Sequence, residues 1–505
     1  MGVVTLAKIQ SAAVLGLSAV PVEVEADISN GLPLFKIVGL PDKAVEEAKE
    51  RVRSAIKNSG LHMPDKRITV NLAPADVKKI GPAYDLPIAI GLLVASGQIT
   101  LPDENSIFIG ELALNGSVRH TNGVLAIASF AVKQGQTTFY VPHSNADEAS
   151  LVQGATIIPI ATLKDLILHC RQEKIILPYP HKEIVPIPPT PMFDMCHIAG
   201  QEQAKRALEI AAAGGHNILM TGPPGSGKTM LAQALPGILP DMATEEILEL
   251  TNIHSVAGIL GNQPFVSTRP FRSPHHTSSY VALVGGGNWP QPGEVSLAHR
   301  GVLFLDELPE FPRHVLEVLR QPLEEGAVHI ARAAGKVSFP ARFMLVAAKN
   351  PCPCGYYNDP ERQCTCSAGQ IESYNRRISG PLLDRIDIHI EVPRVEYEKL
   401  RRPVEAEPSI AVRERVSSAR AIQAKRFINS PTLTNTEMST DELKAFCALD
   451  EAGESLLESA VRTYFLSPRS YTRILKLART IADLDGSHTI QPQHLAEAIR
   501  YKIVE

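Results

Sequence analysis

The chain has 505 residues, of which 44% are hydrophobic and 21% charged, and its formal net charge is −4. This composition is ordinary for a folded globular protein, and the length gives room for about three domains. The nearly balanced charge excludes a uniformly basic surface, so any nucleic-acid contact must come from a local patch. The longest apolar run, near Leu86 to Ala95, is too short to span a bilayer. Seven cysteines, four of them clustered, also do not match a secreted disulfide scaffold, so we expect a cytoplasmic protein without membrane contact.

The sequence predicts four segments. Residues 1–172 mix alternating strands with helices, and residues 173–194 form a proline-rich linker, which we expect to be extended and semi-rigid. Residues 195–395 have the pattern of an α/β nucleotide-binding domain, and residues 396–505 are charged and helical in pattern. No tandem repeat of 20–50 residues is evident in the sequence.

Two elements of the first segment are predicted from their patterns. Residues 22–25 alternate apolar and acidic side chains, which favours a strand. Pro41 and Asp42 begin a predicted helix that stops at Gly60. The predicted apolar face of this helix consists of Val45, Ala48, Val52, Ala55 and Ile56.

Residues 222–229 form a complete phosphate-binding loop, G-x-x-x-x-G-K-[ST]. The apolar run 217–220 predicts a strand before the loop, and the run 230–235 predicts a helix after it. In such a loop backbone N–H groups face the phosphates, Lys228 reaches the β- and γ-phosphates, and Thr229 holds Mg²⁺. The sequence therefore predicts binding of a nucleoside triphosphate. The predicted contacts are Gly222, Pro223, Pro224, Gly225, Ser226, Gly227, Lys228, Thr229 and Met230.

A second strand with catalytic side chains follows downstream. The apolar run 302–305 ends in two carboxylates, Asp306 and Glu307. Beside a phosphate-binding loop, Asp306 would complete the Mg²⁺ shell and Glu307 would polarise the attacking water. Another buried run, 342–348, precedes Asn350, which would orient that water or sense the γ-phosphate.

Two arginines complete the predicted catalytic set. Arg385 precedes the predicted strand 388–392 and is suited to act on the ATP of a neighbouring subunit. Arginine fingers of this kind are typically worth about 10³–10⁵ in rate. The alternative for Arg385 is a salt bridge within its own subunit. Arg469 lies at the start of a predicted helix and would reach the phosphates from a helical lid.

The chain resembles an AAA+ ATPase in the order and approximate spacing of Lys228, Asp306, Glu307, Asn350, Arg385 and Arg469. Residues 198–201 look like the segment that cups adenine in this superfamily, which implies that Gln201 contacts ATP. Residues 293–301 are similar to the magnesium-chelatase and MCM-type branch. That branch has an insert in its second helix, matched here by 285–290, and a hairpin before its sensor strand, matched by 328–339.

Nearly the whole chain resembles the ComM/YifB family of magnesium-chelatase-like proteins. The matching signatures are residues 269–277, 350–355 and 479–484. The resemblance implies a homohexameric ATPase that uses ATP and Mg²⁺, acts on single-stranded and branched DNA, and drives branch migration as a helicase in natural transformation. The motif spacing by itself indicates only a ring-type ATPase.

Residues 71–135 resemble the proteolytic domain of Lon, but both catalytic positions differ. The resemblance implies a Lon-protease-like (ribosomal S5 domain 2-like) α+β domain, followed by an AAA+ α/β core and a helical, magnesium-chelatase-type C-terminal lid. Ala83 occupies the place of Lon's nucleophilic serine, and Arg119 that of its catalytic lysine. Alanine has no nucleophile and arginine stays protonated. We therefore expect no proteolysis from this domain.

Four cysteines form a C-x-C-x₉-C-x-C pattern, at Cys352, Cys354, Cys364 and Cys366. Four thiolates suit a closed tetrahedral Zn²⁺ site, although the outer spacing is tighter than the usual C-x₂-C. Free thiols and disulfides are the alternatives, and a cytoplasmic setting disfavours disulfides. A zinc ion here would stiffen the loop that follows Asn350.

Candidate DNA contacts lie in two predicted pore loops. Arg332 and Lys336 flank the hairpin tip, and Trp289, the only tryptophan, lies in the glycine-rich insert. Stacking of a base on an aromatic ring is worth about 1–3 kcal/mol, but packing of Trp289 against a neighbouring subunit is an equal alternative. Arg272 belongs to a basic cluster that would either line the pore or order the strand before the insert.

Three other functions are less compatible with the sequence. A chelatase motor subunit uses the same ATPase core, but the Lon-like segment and the cysteine cluster do not resemble such a subunit. A Lon-like ATP-dependent protease is disfavoured by Ala83 and Arg119. A non-enzymatic scaffold is disfavoured because Lys228, Thr229 and both carboxylates are intact.

Overall fold

A computed structural model describes residues 6–185, 193–261, 263–287, 289–332, 335–395 and 407–502, with the backbone alone at 332 and 335. The proline-rich residues 186–192, the hairpin tip 333–334 and the segment 396–406 lie outside this description. None of the helices in the described residues has the length and apolarity needed to cross a membrane.

The first part of the chain forms a seven-stranded mixed sheet with helices packed against it. The strand order is β3-β4-β2-β1-β5-β8-β9, and β1 and β2 form a long antiparallel hairpin. The sheet strands are β1 Leu6–Leu15, β2 Ser18–Ser29, β3 Leu34–Val38, β4 Arg67–Ala73, β5 Ile107–Phe108, β8 Thr138–Pro142 and β9 Thr156–Ile160, and a separate antiparallel pair is formed by β6 Glu111–Leu112 and β7 Val118–Arg119. The helices are α1 Lys43–Asn58, α2 Asp85–Ala95, α3 Val124–Lys133, α4 Ala146–Ala149 and α5 Leu163–Cys170.

Helix α1 confirms the prediction made from its pattern. Asp42 is its N-cap, and the Asp42 carboxylate accepts a hydrogen bond from the Val45 N–H at 2.8 Å. The buried face consists of the five predicted apolar residues, which pack against the sheet. The predicted strand at 22–25 lies within β2, where Val22 and Val24 are buried.

The central part is a parallel sheet of five strands in the order β11-β14-β17-β10-β18. Its central strands are continuous apolar runs because helices cover both faces. Its strands are β10 Ile218–Thr221, β11 Phe271–Arg272, β14 Val302–Leu305, β17 Met344–Lys349 and β18 Ile388–Glu391, and two hairpins lie outside it, β12 Gly285–Gly286 with β13 Gln291–Pro292 and β15 Ala327–Arg332 with β16 Gly335–Pro340. The helices are α6 Glu202–Gly214, α7 Lys228–Ala234, α8 Thr244–Ala257, α9 Tyr280–Val284, α10 Glu294–Leu297, α11 Arg313–Glu317, α12 Arg320–Glu325, α13 Ala368–Asn375 and α14 Gly380–Leu383.

The last part is helical and shares a core with the central sheet. Its helices are α15 Ser409–Arg426, α16 Thr440–Phe446, α17 Glu451–Tyr464, α18 Pro468–Leu484 and α19 Pro492–Lys502. One continuous apolar cluster contains residues of α6, β10, β18 and these helices. Buried hydrogen bonds join the same elements, including Gln423 Nε2 to the Ala213 carbonyl at 2.9 Å and His216 Nε2 to Thr480 Oγ1 at 2.8 Å.

The first sheet also touches the central part through the β1–β2 turn. A side chain at Gly16, which has φ +63°, would collide with Val337 of the β15–β16 hairpin. Asn252 of α8 donates to the Leu17 carbonyl at 2.9 Å. The hairpin that the sequence predicts at 328–339 is present, with Val328 opposite Phe339. Its β16 strand lies against the first sheet through the contact between Val337 and Gly16.

Candidate ATPase site

The phosphate-binding loop lies at the carboxyl end of β10 and leads into α7, as predicted from the flanking runs. Gly225 and Gly227 have φ values of +77° and +92°, which glycine adopts without strain. A side chain at Gly222 would collide with the Val392 carbonyl oxygen, so this loop passes close to the chain that follows β18. The motif residues thus take the backbone course that a phosphate cradle needs.

Lys228 and Asn350 converge at the end of β17. The Lys228 ammonium donates to the carbonyls of Gly222 and Pro223, at 2.7 and 2.9 Å, and to Asn350 Oδ1 at 3.3 Å. Burial lowers the pKa of Lys228, and the Asp306 carboxylate opposes that shift. Backbone carbonyls are neutral partners, so a phosphate would be a stronger acceptor for this ammonium.

Thr229 and Asp306 supply two oxygens at the expected Mg²⁺ position. Thr229 Oγ1 donates to Asp306 Oδ2 at 2.9 Å, although the two residues are 77 positions apart in the chain. Asp306 Oδ1 accepts the Glu307 N–H at 2.9 Å. A hydroxyl and a carboxylate are ligands that Mg²⁺ prefers, so the residues present fit this ion.

Glu307 is exposed beside the loop in a left-handed backbone conformation, with φ +50°. Its carboxylate lies 3.4 Å from His276 Nδ1, and the ring of His276 packs edge-on against Phe311. The turn therefore directs Glu307 away from the sheet core into open space, where a carboxylate can reach a water molecule. The position of His276 beside Glu307 was not predicted from the sequence.

Gln201 lies at the entrance of α6, also in a left-handed conformation. Its amide donates to the carbonyl of Ser226 in the loop at 3.3 Å and to that of Pro393 at 2.6 Å. Gln201 therefore joins the phosphate-binding loop to the chain after β18. Met230 lies in the first turn of α7, next to Thr229.

Arg385 and Arg469 do not contact the phosphate-binding loop. The Arg385 guanidinium is buried and donates to the Pro381 carbonyl and to Glu324. Arg469, which is half exposed, donates to Glu324 Oε1 at 2.7 Å. The two arginines thus lie together at the end of α12, and the salt bridge within the subunit that was the alternative for Arg385 is present. Glu324 was not predicted, because no motif or spacing distinguishes it from its acidic neighbours.

The four predicted cysteines form one cluster. Their sulfur atoms all lie within 4.8 Å of one another, and three separations measure 3.4, 3.6 and 3.7 Å. A tetrahedral zinc site with Zn–S bonds of about 2.3 Å has sulfurs about 3.8 Å apart. Backbone N–H groups of Thr365 and Tyr356 lower the pKa of Cys354, whereas burial and the neighbouring thiols raise the pKa of Cys364 and of Cys366. The donor set therefore fits zinc.

The cysteine loop packs against the phosphate-binding loop. A side chain at Gly355, which has φ +86°, would collide with the ring of Pro224. Asp359 of the same loop pairs with Arg394 at 2.9 Å, in the chain that follows β18. A metal at the cysteines would consequently stiffen one wall of the nucleotide site.

The DNA-contact candidates occupy different environments. Lys336 is exposed on β16, and the side chain of Arg332 lies outside the described residues. Arg272 forms a bidentate ion pair with Glu294, at 2.6 and 2.7 Å, which raises the pKa of Arg272. Trp289 is half-buried between β12 and β13. Of these four, Arg272 has its charge already matched by a carboxylate.

Comparison with known proteins follows the same three parts of the chain. The family model described as magnesium chelatase, subunit ChlI, matches residues 194–400. The model of subunit ChlI of Mg-chelatase matches residues 24–145, and that of the ChlI C-terminal region matches residues 406–502. 

The chain is 45% identical over 504 residues to YifB, an uncharacterized protein of Escherichia coli strain K12, which covers 99% of this chain and 98% of that protein. It is 46% identical over 503 residues to the competence protein ComM of Haemophilus influenzae, with 99% and 97% covered.

The chain belongs to the ComM/YifB family of magnesium-chelatase-like proteins.

The family is a branch of the AAA+ ATPases, and relatives outside it are more distant. The magnesium-chelatase 38 kDa subunit of Rhodobacter capsulatus is 24% identical over 331 residues, which cover 60% of this chain and 85% of that subunit. The AAA+ family implies ATP and Mg²⁺ for the site built by Lys228, Thr229 and Asp306. The fold is accordingly a mixed α/β structure with a parallel nucleotide-binding sheet and a helical C-terminal part.

Proposed function

We propose that the protein is an ATP-hydrolysing, ring-forming DNA motor that migrates branched DNA during recombination, in the setting of natural transformation. The observation that carries the ATPase is the hydrogen bond between Thr229 and Asp306, with Lys228 and Asn350 beside it. The DNA substrate rests on the resemblance to the family and on the relative named as competence protein ComM.

The hydrolysis step would use the residues of one subunit for binding and for activating water. Lys228 would exchange its carbonyl partners for the β- and γ-phosphates, and Thr229 and Asp306 would hold Mg²⁺, which would neutralise phosphate charge. Glu307 accepts a proton from the attacking water, and Asn350 orients that water at the γ-phosphate. The leaving ADP oxygen then takes up the negative charge near Lys228.

Arg385 and Arg469 would act on the nucleotide of a neighbouring subunit in a homohexamer. Both side chains meet at Glu324, where no group of their own phosphate-binding loop contacts them. Arg469 is half exposed beside Glu324 and is placed to meet an incoming phosphate, whereas the buried Arg385 would first have to exchange Glu324 for that phosphate. ATP would then be shared between adjacent subunits, which couples hydrolysis to movement around the ring.

The segments would divide this work. Residues 1–172 would be a Lon-protease-like domain without proteolytic activity, joined by the linker 173–194 to the AAA+ core 195–395, with the helical lid at 396–505. Ala83 and Glu111 line the same cavity, and Arg119 pairs with Glu111 at 3.3 Å. An arginine held by a carboxylate beside an alanine supplies neither a nucleophile nor a base. Zinc would be structural, and the site of action cytoplasmic.

The experiment compares ATP hydrolysis with and without single-stranded DNA and then measures branch migration on a four-way junction. We expect DNA to stimulate ATP hydrolysis, and we expect the four-way junction to be converted to its duplex products only when ATP is present. The rival is a chelatase motor subunit, favoured by the three ChlI family models. If no DNA stimulates ATP hydrolysis and no junction is converted to duplex products, the DNA motor is refuted and the chelatase motor subunit remains.

A further inference from the structure

The first sheet and the ATPase insert enclose a cavity of about 290 Å³. One wall comes from the loop before α2, which contains Ala83, and from the chain around Asn122. The opposite wall comes from the insert between β12 and β13, which contains Trp289. The cavity thus joins Ala83, which the resemblance to Lon places at the position of the nucleophile, to the only tryptophan of the chain.

Fixed contacts between α3 and α8 hold the two walls together. The Gly123 N–H donates to Ser255 Oγ at 3.0 Å, and Ser255 Oγ donates to the buried carboxylate of Glu148. Gly258 has φ +71° and lies so close to Asn122 that a side chain there would collide with the Asn122 amide. The cavity is therefore framed by hydrogen bonds and close packing, and it is more than a loose gap between two surfaces.

The lining combines an aromatic ring, amides, cations and one carboxylate, that of Glu111, which pairs with Arg119 at 3.3 Å. Trp289 is half-buried, whereas the amides of Asn122 and Gln291 are exposed. Lys78 and His120 lie exposed at the rim. An aromatic face binds bases by stacking, amides bond to base edges, and cations attract the phosphate backbone. The volume is at the lower end of small-ligand pockets, which suits a single base and is too small for a duplex.

We propose that this cavity binds one unstacked base of single-stranded DNA against Trp289, and that it forms a DNA-binding site separate from the β15–β16 hairpin. The inference rests on the proposed function, since it identifies the place at which the DNA motor would hold a single strand. A base in a duplex has both faces covered by its neighbours, so this site selects single strands. The small side chain of Ala83 keeps the cavity open for the base.

The single tryptophan makes the site directly observable. Tryptophan emission is followed while oligo(dT) is added to the full chain held with a non-hydrolysable ATP analogue, and DNA affinity is measured in parallel by anisotropy of a labelled oligonucleotide. We expect the emission to fall over the same DNA concentrations that bind the labelled strand. Double-stranded DNA of equal length is expected to leave the emission unchanged.

Three variants test the assignment. Trp289→Ala is expected to weaken oligonucleotide binding by roughly 5- to 150-fold, the equivalent of one stacked base. Trp289→Phe keeps an aromatic face and is expected to lose less, which separates stacking from folding. Ala83→Leu keeps the tryptophan but fills the cavity, and it is expected to abolish the change in emission.

The outcomes separate the site from the function on which it rests. If DNA stimulates hydrolysis but the emission stays constant and Trp289→Ala binds like the parent, the site is refuted and the DNA motor stands. If the emission falls equally in Ala83→Leu, the tryptophan meets DNA elsewhere and the cavity is refuted. If no DNA binds by either measurement, the proposed function itself fails.

Discussion

Arg385 and Arg469 donate hydrogen bonds to the same carboxylate oxygen, Oε1 of Glu324, although the two arginines are 84 positions apart in the chain. The hydrogen bond from Arg385 lowers the pKa of Glu324, so the carboxylate is ionised at neutral pH. Arg385 is almost fully buried, whereas Arg469 and Glu324 are each about half exposed. One carboxylate therefore holds the two cations next to each other, with Arg469 and Glu324 open to a partner and Arg385 buried behind them.

Glu324→Gln is expected to lower kcat for ATP by about tenfold, equivalent to about 1.4 kcal/mol, because a neutral amide no longer holds the two guanidinium groups. The KM for ATP is expected to stay unchanged, since Glu324 contacts none of the phosphate-binding residues. Steady-state ATP hydrolysis measures both constants. The control is Glu325→Gln, whose carboxylate accepts from Gln321 at 2.9 Å and faces His329. A raised KM with an unchanged kcat would contradict the role given to Glu324.

Mixing two inactive variants tests whether Arg385 acts across subunits. Lys228→Ala abolishes nucleotide binding and Arg385→Ala removes the finger, so each is expected to be inactive alone. An equimolar mixture is expected to recover about a quarter of the parental ATPase rate, since half of the subunits keep Lys228 and half of their neighbours keep Arg385. The control mixes Lys228→Ala with the double variant, in which no complete site forms. A mixture that stays inactive would place Arg385 in its own subunit's site.

Glu307→Gln is expected to keep ATP bound while turnover falls by about 10²–10⁴, the usual contribution of a general base. Glu307 is exposed and contacts His276, so its replacement leaves the loop and its Thr229–Asp306 hydrogen bond intact. ATP retention is measured by filtration and turnover by phosphate release. The control is Glu310→Gln, an exposed neighbour paired with Arg377 at 3.1 Å. Full turnover in Glu307→Gln would be incompatible with the assignment.

The local motifs of the ATPase could be predicted from sequence, because their chemistry depends on short spacing. The phosphate-binding loop, its flanking strand and helix, and the cysteine cluster are each fixed by adjacent residues. Glu324 could not be found in this way, since it becomes distinctive only through contacts with residues 61 and 145 positions away.

The contacts of the first sheet with the ATPase part could not be predicted from the sequence either. Gly16 reads as an ordinary turn glycine, yet it allows the β1–β2 turn to lie against Val337. From the sequence Glu148 would be expected on the surface, yet its carboxylate is buried and accepts hydrogen bonds from the Leu125 N–H and the Ser255 hydroxyl. Such long-range pairings leave no period or spacing in one sequence, whereas helix α1 was predictable because its apolar period is local.

Glu249 is expected to make stability depend on pH below neutrality. The hydrogen bond with His299, together with the nearby Arg300, lowers the pKa of Glu249 to about 2. Because the folded-state pKa lies below the ordinary value, this stabilisation is present above about pH 4.5 and is lost as the pH falls towards 2. Glu249→Gln should reduce the free energy of unfolding by about 1 kcal/mol at pH 7, a value discounted for the exposure of the side chain.

Urea unfolding at pH 7, 5 and 3 measures this dependence. The difference between the parent and Glu249→Gln is expected to shrink between pH 5 and 3. Glu414→Gln, an exposed position on α15, is the control and should show no such change. A difference that stays constant with pH would mean that the side chain of Glu249 stabilises the fold by packing and that its charge contributes nothing.

Zinc is expected at about one ion per chain, held by the four cysteines. Cys364→Ser should weaken zinc binding by about 100-fold or more, because one of the four thiolates is lost. Since Gly355 of this loop lies against Pro224 of the phosphate-binding loop, the same variant should also lower ATP affinity and the melting temperature. Metal analysis of the purified protein, ATP titration and thermal unfolding measure the three effects.

Cys196→Ser changes a half-buried cysteine outside the cluster, so this variant is the matched control and should keep its zinc. Protein purified without a chelator that contains no zinc would rule out the site, whereas an unchanged zinc affinity in Cys364→Ser would mean that other residues hold the ion.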